Sequence, residues 1–347
     1  MVRYRQKIML TEEIIMADNR KMWESLGMDL ETHDMLCEVL PVAFGDVYLS
    51  QENRPECMDF YDMVVADIHG IRPSELIAHQ EKGGKVFGTF CVYVPDEVVF
   101  AADGIATGLC GGSQFWVPDG EKVLPTNTCP LIKASVGARL GRTCPFFRIA
   151  DMYVGETTCD GKKKAWEILA GDVPVHVMDL PQMKREKDIQ KWAEEIKDFK
   201  AVVEKETGNE VTAEKLAAAI KTVNGKRKAL ARLYDFRKNE KLPISGKDCL
   251  LISQIAFYDD PSRFAQMTNR LCDELEKRVA EGGNIPKNAN GKYEVAVDYY
   301  LDITDGIYRS NAIVGTLAES DVLECVSTTQ AYGNSAQQDA YNNAQAV

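Results

Sequence analysis

The stretch Leu124–Lys164, LPTNTCPLIKASVGARLGRTCPFFRIADMYVGETTCDGKKK, limits what this chain can fold into more than any other. It holds Cys129, Cys144 and Cys159, and the first two are each followed by proline. Proline removes a backbone donor and fixes the turn, so both cysteines are held at defined corners. Cys159 follows the mostly apolar run Ile149–Val154, which reads as a short buried strand. After it come Asp160, Gly161, three lysines and a helical pattern with Trp166, Ile168 and Leu169. Cys159 is therefore expected at the carboxyl end of a strand, in the turn that feeds a helix. In open α/β sheets that edge is where ligands and cofactors bind. Two more cysteines stand in similar contexts upstream. Cys91 ends the run Lys85–Phe90, and Cys110 lies in the glycine-rich piece Gly108-Leu109-Cys110-Gly111-Gly112.

Around this stretch, strands alternate with helices from Lys85 to Leu180, the pattern of βαβ units and a parallel sheet. Pro95-Asp96-Glu97 opens a short helix, Ile105–Leu109 is a weak strand, and Val173–Met178 is the last strand. Residues 1–83 read as helical, with a break or kink at Pro41 and helix starts at Asn53-Arg54-Pro55-Glu56 and Ile71–Glu75. Residues 183–285 read as a helical module. Ile189, Trp192, Ile196, Phe199 and Val203 recur at helical spacing, Thr212 caps a second helix, and Asp259-Asp260-Pro261 starts a later one. From 286 onward only Tyr293–Val297 and Ala312–Leu317 suggest strands, and the Ser/Thr/Gln/Ala/Asn-rich end after Cys325 reads as incomplete or disordered.

A length of 347 residues allows about two domains. The net charge of -12 argues against a nucleic-acid surface, which needs a basic stripe. No apolar core follows the charged N-terminus and no stretch reaches membrane-span length, so the reading is cytoplasmic, with no membrane and no nucleic acid among its partners. Ten cysteines in such a chain are metal ligands or reactive thiols more readily than disulfides. No C-x-x-C pair occurs, and His33, His69, His79 and His176 are widely scattered. A mixed Cys/His zinc site is therefore a poor fit, and an all-thiolate iron–sulfur site a better one.

Cys91, Cys110, Cys129 and Cys159 all fall at predicted strand ends or helix starts of one sheet, where they can converge. Spacing alone leaves three readings open: a cluster, buried structural thiols, or a catalytic thiol. Cys144 is equally a core residue ahead of Phe146-Phe147, Cys37 and Cys57 read as core filler on helices, and His176 as a core or edge histidine. Lys162, Lys163 and Lys164 stand in the first turn of a helix, where positive charge opposes the macrodipole. Either they are a solvated face, or they answer an anionic cluster, a phosphate or an acidic partner.

The segments GTFCVYVPDEVVFAADGI, LPTNTCPLIK, TCPFFRIADMYVGETTCDGKKKAWEIL and ISGKDCLLISQIAFYDDPSRF resemble the 2-hydroxyacyl-CoA dehydratase/benzoyl-CoA reductase superfamily, most closely its double-cubane cluster protein branch, over about residues 30–285. The resemblance implies flavodoxin-like α/β domains around a buried iron–sulfur cluster, 4Fe-4S or double cubane. It implies a separate ATP-hydrolysing iron–sulfur activator that delivers low-potential electrons to a reductase acting on a small molecule, or to an (R)-2-hydroxyacyl-CoA dehydratase subunit, in a homodimer or heterodimer. A non-catalytic electron carrier or scaffold is the reading from another class. By position, Cys129 and Cys159 match the family's ligands best, Cys91 next and Cys110 after it; no catalytic residue is assigned. The family continues after Pro286 into a second α/β domain with further ligand cysteines, whereas here only Cys325 remains. That domain is thus read as truncated or replaced. The expectation is a folded α/β domain (84–182) that holds no stable full double cubane, and mobile residues after about Ser327.

Overall fold

A computed structural model describes residues 19–109, 113–239 and 242–282 with side chains, and the backbone of three later strands. In chain order the elements used below are α1 (Leu30–Phe44), α2 (Asp59–Ala66), α3 (Ile71–Glu81), β1 (Val86–Thr89), α4 (Asp96–Ala101), β2 (Ile105–Gly108), α5 (Pro130–Leu140), α6 (Pro145–Ile149), β3 (Met152–Glu156), α7 (Asp160–Leu169), β4 (Val175–Met178), α8 (Glu186–Thr207), α9 (Ala213–Asp235), α10 (Gly246–Ile255), α11 (Pro261–Ala280), β5 (Tyr293–Leu301), β6 (Arg309–Leu317) and β7 (Leu323–Ser327). The chain forms two compact units. The first holds the described residues up to Val42, Met63–Lys226 and Ile255–Phe264; the second holds Ala43–Asp62, Arg227–Gln254 and the described residues from Ala265 on.

The first unit is an α/β fold of the flavodoxin-like kind. Its sheet has the order β2-β1-β3-β4 and every pairing is parallel. Successive side chains of a strand point to opposite faces, so each strand feeds two cores. On one face Val86 and Tyr153 join Phe90, Phe147, Trp166 and Leu169. On the other Phe87, Met152 and Val154 join Val98, Val99, Phe199 and Val203. Helices thus cover both faces, as a parallel sheet requires. Each large side chain so buried stabilises the fold by roughly 1.5–3 kcal/mol. The α8 helix stops at Gly208, whose φ of 72° is the left-handed conformation that glycine adopts without strain.

Two local expectations shift. The run read as a strand over Ile149–Val154 instead begins with the helical turn α6, and β3 starts at Met152. Pro145 heads that turn at a position where its missing N–H costs nothing. Asp151 then anchors the strand start: its N–H donates to the Val86 carbonyl at 2.8 Å, and its carboxylate accepts the Val86 N–H at 2.8 Å. Pro41 does not end α1, which runs on to Phe44 and passes into a π-helical turn, Gly45–Leu49.

The second unit is organised around a buried ion pair. Asp248 on α10 has no exposed surface and accepts from Arg54 at 2.8–2.9 Å, from Gln51 at 3.1 Å and from Ser245 at 3.0 Å. Arg54 also donates to Asp62 at 2.7 and 2.9 Å. Glu274 on α11 accepts the backbone N–H groups of Glu56 and Cys57, both at 2.8 Å, and so caps the turn that leads into α2. In the segment read as incomplete or disordered, β5, β6 and β7 pair antiparallel in that order. Alternation in YEVAVDYY suits a strand despite the polar composition. The residues after Ser327, expected to be mobile, lie outside the described residues.

Candidate functional site

In the strand order β2-β1-β3-β4 the direction of winding reverses between β1 and β3. The crevice outside the carboxyl ends of these two strands is the topological switch point, where flavodoxin-like sheets bind their ligands. Cys91 lies two residues beyond Thr89, the last residue of β1, and Cys159 three beyond Glu156, the last of β3. Cys159 is the N-cap of α7 and Cys129 the N-cap of α5. Both thiols are exposed and neither is in a disulfide; Cys91 is half-buried. Cys110, which follows β2, lies outside the described residues.

Neighbouring contacts hold the two N-caps. Trp166 of α7 lies flat against Gly155, where any Cβ would run into the indole, and its N–H donates to the Glu156 carbonyl at 2.9 Å. That fixes α7, and with it Cys159, to the end of β3. On the other side, Lys133 of α5 is buried; it pairs with Glu121 and donates to the Thr126 carbonyl at 2.7 Å. This ties down the loop that presents Cys129. A Cβ placed on Gly161 would stand 2.7 Å from Ile132, 3.9 Å from Thr128 and 4.0 Å from the Cys159 sulfur. The Cys159 thiol and the residue preceding Cys129 therefore flank the same glycine, which keeps the two helix starts close. A small cleft between α5 and α7 is lined by Phe90, Leu131, Ile132, Ser135, Lys162 and Trp166 among others.

Cys144 has a different fate. It is the N-cap of α6, yet it is buried, and burial pushes its thiol up to about 11 against the backbone N–H groups of Phe146 and Phe147. It is a core thiol. Cys249 and Cys272 are buried as well. Brief alkylation of the native protein at about pH 8 is expected to label the exposed Cys129 and Cys159 and to spare Cys144, which is buried and whose thiol burial pushes up. Mass mapping checks this. The same shift sets a sign. Between the ordinary value of 9.0 and about 11 the folded state keeps a proton that the unfolded state loses, so stability falls as pH rises through that window.

Each of the three lysines has a local carboxylate. Lys162 pairs with Glu156, which is fully buried. Lys163 lies 3.5 Å from Asp160, and Lys164 pairs with Glu167 at 2.5 Å. Lys162 is thus committed to the end of β3 and stands 5.9 Å from the Trp166 ring centroid. Lys163 and Lys164 are largely exposed. His176, expected in a core or edge role, packs on Phe199 at 5.4 Å, with its Nε2 buried and unpartnered.

One grouping was not anticipated. His33 and Cys37 on α1 and His69 in the turn before α3 bring their donor atoms within 4.8 Å of one another. The i, i+4 spacing of His33 and Cys37 was visible in the sequence; the approach of His69 was not.

Cys91, Cys129 and Cys159 do not form such a tight trio among the described residues. A multi-iron cluster is wider than one ion and takes its thiolates from separate segments, and unpaired, solvent-facing thiols at helix N-termini suit it. Among the described residues, Cys129 and Cys159 are the two exposed thiols at helix starts, a donor type that such a cluster takes.

Residues 91–302 match the model of a family described as 2-hydroxyglutaryl-CoA dehydratase, D-component. The chain belongs to this family. YjiM of Escherichia coli (strain K12), which carries the name of a dehydratase subunit, is 39% identical over 202 residues, covering 58% of this chain and 51% of its own. A benzoyl-CoA reductase component from Thauera aromatica is 25% identical over 174 residues, covering 48% of this chain and 44% of its own. The chain spans about half the length of the curated relatives it matches. The family match begins at Cys91 and so takes in β2, β3, α5, α7 and the cysteines that follow or cap them. No helix among the described residues is long and apolar enough to cross a membrane.

Proposed function

We propose that this chain is the iron–sulfur component of a reductase of the 2-hydroxyacyl-CoA dehydratase superfamily. It accepts low-potential electrons from an ATP-hydrolysing iron–sulfur activator and passes them to a small substrate. The observation that carries this reading is the pair of exposed thiols, Cys129 and Cys159, on two closely placed helix starts at the sheet's switch point. Cys91 would be the third holder and Cys110 the fourth. The group held there, a 4Fe-4S or double-cubane cluster, supplies the one-electron chemistry when bound.

The chain's own residues do the rest. Cys129 and Cys159 are the N-caps of α5 and α7, which set both thiols at the starts of rigid helices. Trp166 and Lys133 hold the two ligand loops in place, so little reorganisation accompanies a change of charge. Phe90 and Trp166 line the adjoining cleft and keep that side of the site apolar.

A second reading is favoured by the matched family itself: an (R)-2-hydroxyacyl-CoA dehydratase subunit working beside a further subunit. Both readings place the protein in the cytoplasm, as a homodimer or heterodimer. With activator and ATP supplied anaerobically, turnover of small unsaturated molecules without CoA supports the reductase; turnover of 2-hydroxyacyl-CoA alone supports the dehydratase. Turnover of neither, with the chain fully reduced, leaves an electron carrier and overturns both.

Lys163 and Lys164 bear on the activator. Their ion pairs are exposed and therefore weak, typically under about 1 kcal/mol, so they can be exchanged for an acidic partner. Changing Lys163 and Lys164 to Gln, with Lys162 left on the buried Glu156, is expected to slow activator-dependent reduction severalfold, most at low salt where screening is least. Stopped-flow reduction rates against ionic strength check it. Wild-type rates at every salt concentration would make Lys163 and Lys164 a solvated face.

A further inference from the structure

We propose that His33, Cys37 and His69 form a second, separate metal site, which takes one divalent transition-metal ion of the zinc class. The site is built from two pieces of the first unit, helix α1 and the turn between α2 and α3. The α1 helix begins beneath Asp29, whose carboxylate accepts the Thr32 N–H at 3.2 Å and whose carbonyl accepts the His33 N–H at 3.0 Å. One turn on, Cys37 stands on the same face as His33, since residues four apart on a helix are neighbours. His69 comes from the turn between α2 and α3. Trp23 donates its indole N–H to the His69 carbonyl at 2.7 Å, and Asp67 accepts the Ile71 N–H at 2.8 Å. That turn is therefore fixed before any metal arrives.

The donor atoms already lie at nearly ligand spacing. His33 Nε2 is 2.8 Å from His69 Nδ1, and the Cys37 thiol is 3.7 Å from the ring nitrogens of His33. A tetrahedral zinc with bonds of about 2.0–2.1 Å to nitrogen and about 2.3 Å to sulfur sets its ligand atoms roughly 3.3 Å (N to N) and 3.6 Å (N to S) apart. The sulfur stands 3.7 Å from both His33 nitrogens and must turn off the ring toward Nε2, all three donors lie within 4.8 Å of one another, and the two imidazoles need to part by about 0.5 Å. Both imidazoles are buried, and Trp23 packs on His33 at 4.3 Å. The hydrogen bond between the two rings satisfies one nitrogen of each; it gives no reason for a thiol beside them. A bound ion does, because two imidazoles and one thiolate are the borderline-soft donors that zinc and cobalt prefer. On binding, the thiol proton is released and the ring-to-ring hydrogen bond gives way to two metal–nitrogen bonds. Three protein ligands leave one position for water. The ion would clamp α1 to the α2–α3 turn, on elements that carry none of the cysteines at the sheet edge.

The test uses the full chain with Cys91, Cys110, Cys129 and Cys159 all changed to Ser, which silences the sheet-edge thiols, and cobalt(II) as the probe. Expected are one equivalent of bound cobalt, a tetrahedral visible spectrum with a thiolate-to-cobalt band in the near ultraviolet, and a raised melting temperature. Adding Cys37→Ser should abolish the thiolate band and weaken binding at least about tenfold. His33 and His69 are buried, and changing either invites misfolding; Cys37 is half-buried, so its Ser variant keeps the test clear of that failure. Absence of bound cobalt in that quadruple variant, or a thiolate band that survives Cys37→Ser, overturns the assignment.

Discussion

Cys129→Ser and Cys159→Ser are each expected to lower bound iron to less than about half, because in the proposed site each thiolate would bond iron directly and a serine oxygen is a poor replacement. Both residues are exposed N-caps, so the substitutions leave α5 and α7 in place; serine is itself a good cap. Lost iron would thus report lost ligation and not lost fold. The control is Cys272→Ala. Cys272 has no exposed surface and sits on α11, so its removal should leave iron unchanged. Iron per chain, measured after anaerobic purification of all three variants with circular dichroism beside it, decides the matter. Full occupancy in both serine variants would remove the basis for the site.

The largest stability effect is expected in the second unit, from Asp248→Ala. The carboxylate has no exposed surface, and the Arg54 side chain it faces is only 11% exposed. Truncating one partner of a buried pair strands the other charge, at a cost of about 3–5 kcal/mol. Asp62 retains part of the Arg54 interaction, so the lower end of that range is expected. The Gln51 amide and the Ser245 hydroxyl also lose their acceptor. A loss of that size lowers the melting temperature by roughly 6–12 °C in a domain of this size. Urea unfolding followed by circular dichroism measures it; a change below about 1 kcal/mol would mean that Arg54 finds water or another partner.

Much of the sheet edge was legible because local chemistry there is strong. A Cys–Pro step can only head a turn or a helix, and Cys129 and Cys144 both do so. The apolar run followed by Cys159, Gly161 and lysines marked a strand leading to a helix, and β3 and α7 follow that order. What sequence could not decide is which of two identical-looking Cys–Pro steps faces solvent. The fold decides it: Cys129 is exposed, whereas Cys144 is sealed beside Phe146 and Phe147. The start of β3 was misplaced because Phe146, Phe147 and Ile149 are as apolar as a strand, and burial alone does not separate a helical turn from one. The roles of the lysines were also hidden. Glu156 lies six residues before Lys162, and only the turn between β3 and α7 folds it back into contact. The His33–Cys37–His69 grouping was missed for the same reason at longer range, since 36 residues separate its two imidazoles.

Whether Cys129 and Cys159 hold an iron–sulfur cluster at the switch point of the sheet is tested most directly by anaerobic reconstitution. The full chain is treated with iron and sulfide, both are quantified, and an EPR spectrum of the reduced protein is recorded. The predicted result is iron and acid-labile sulfide in near-equal amounts, with a cluster-type signal that disappears when Cys129 and Cys159 are both Ser. Iron without sulfide, or an undiminished signal in that double variant, would contradict it.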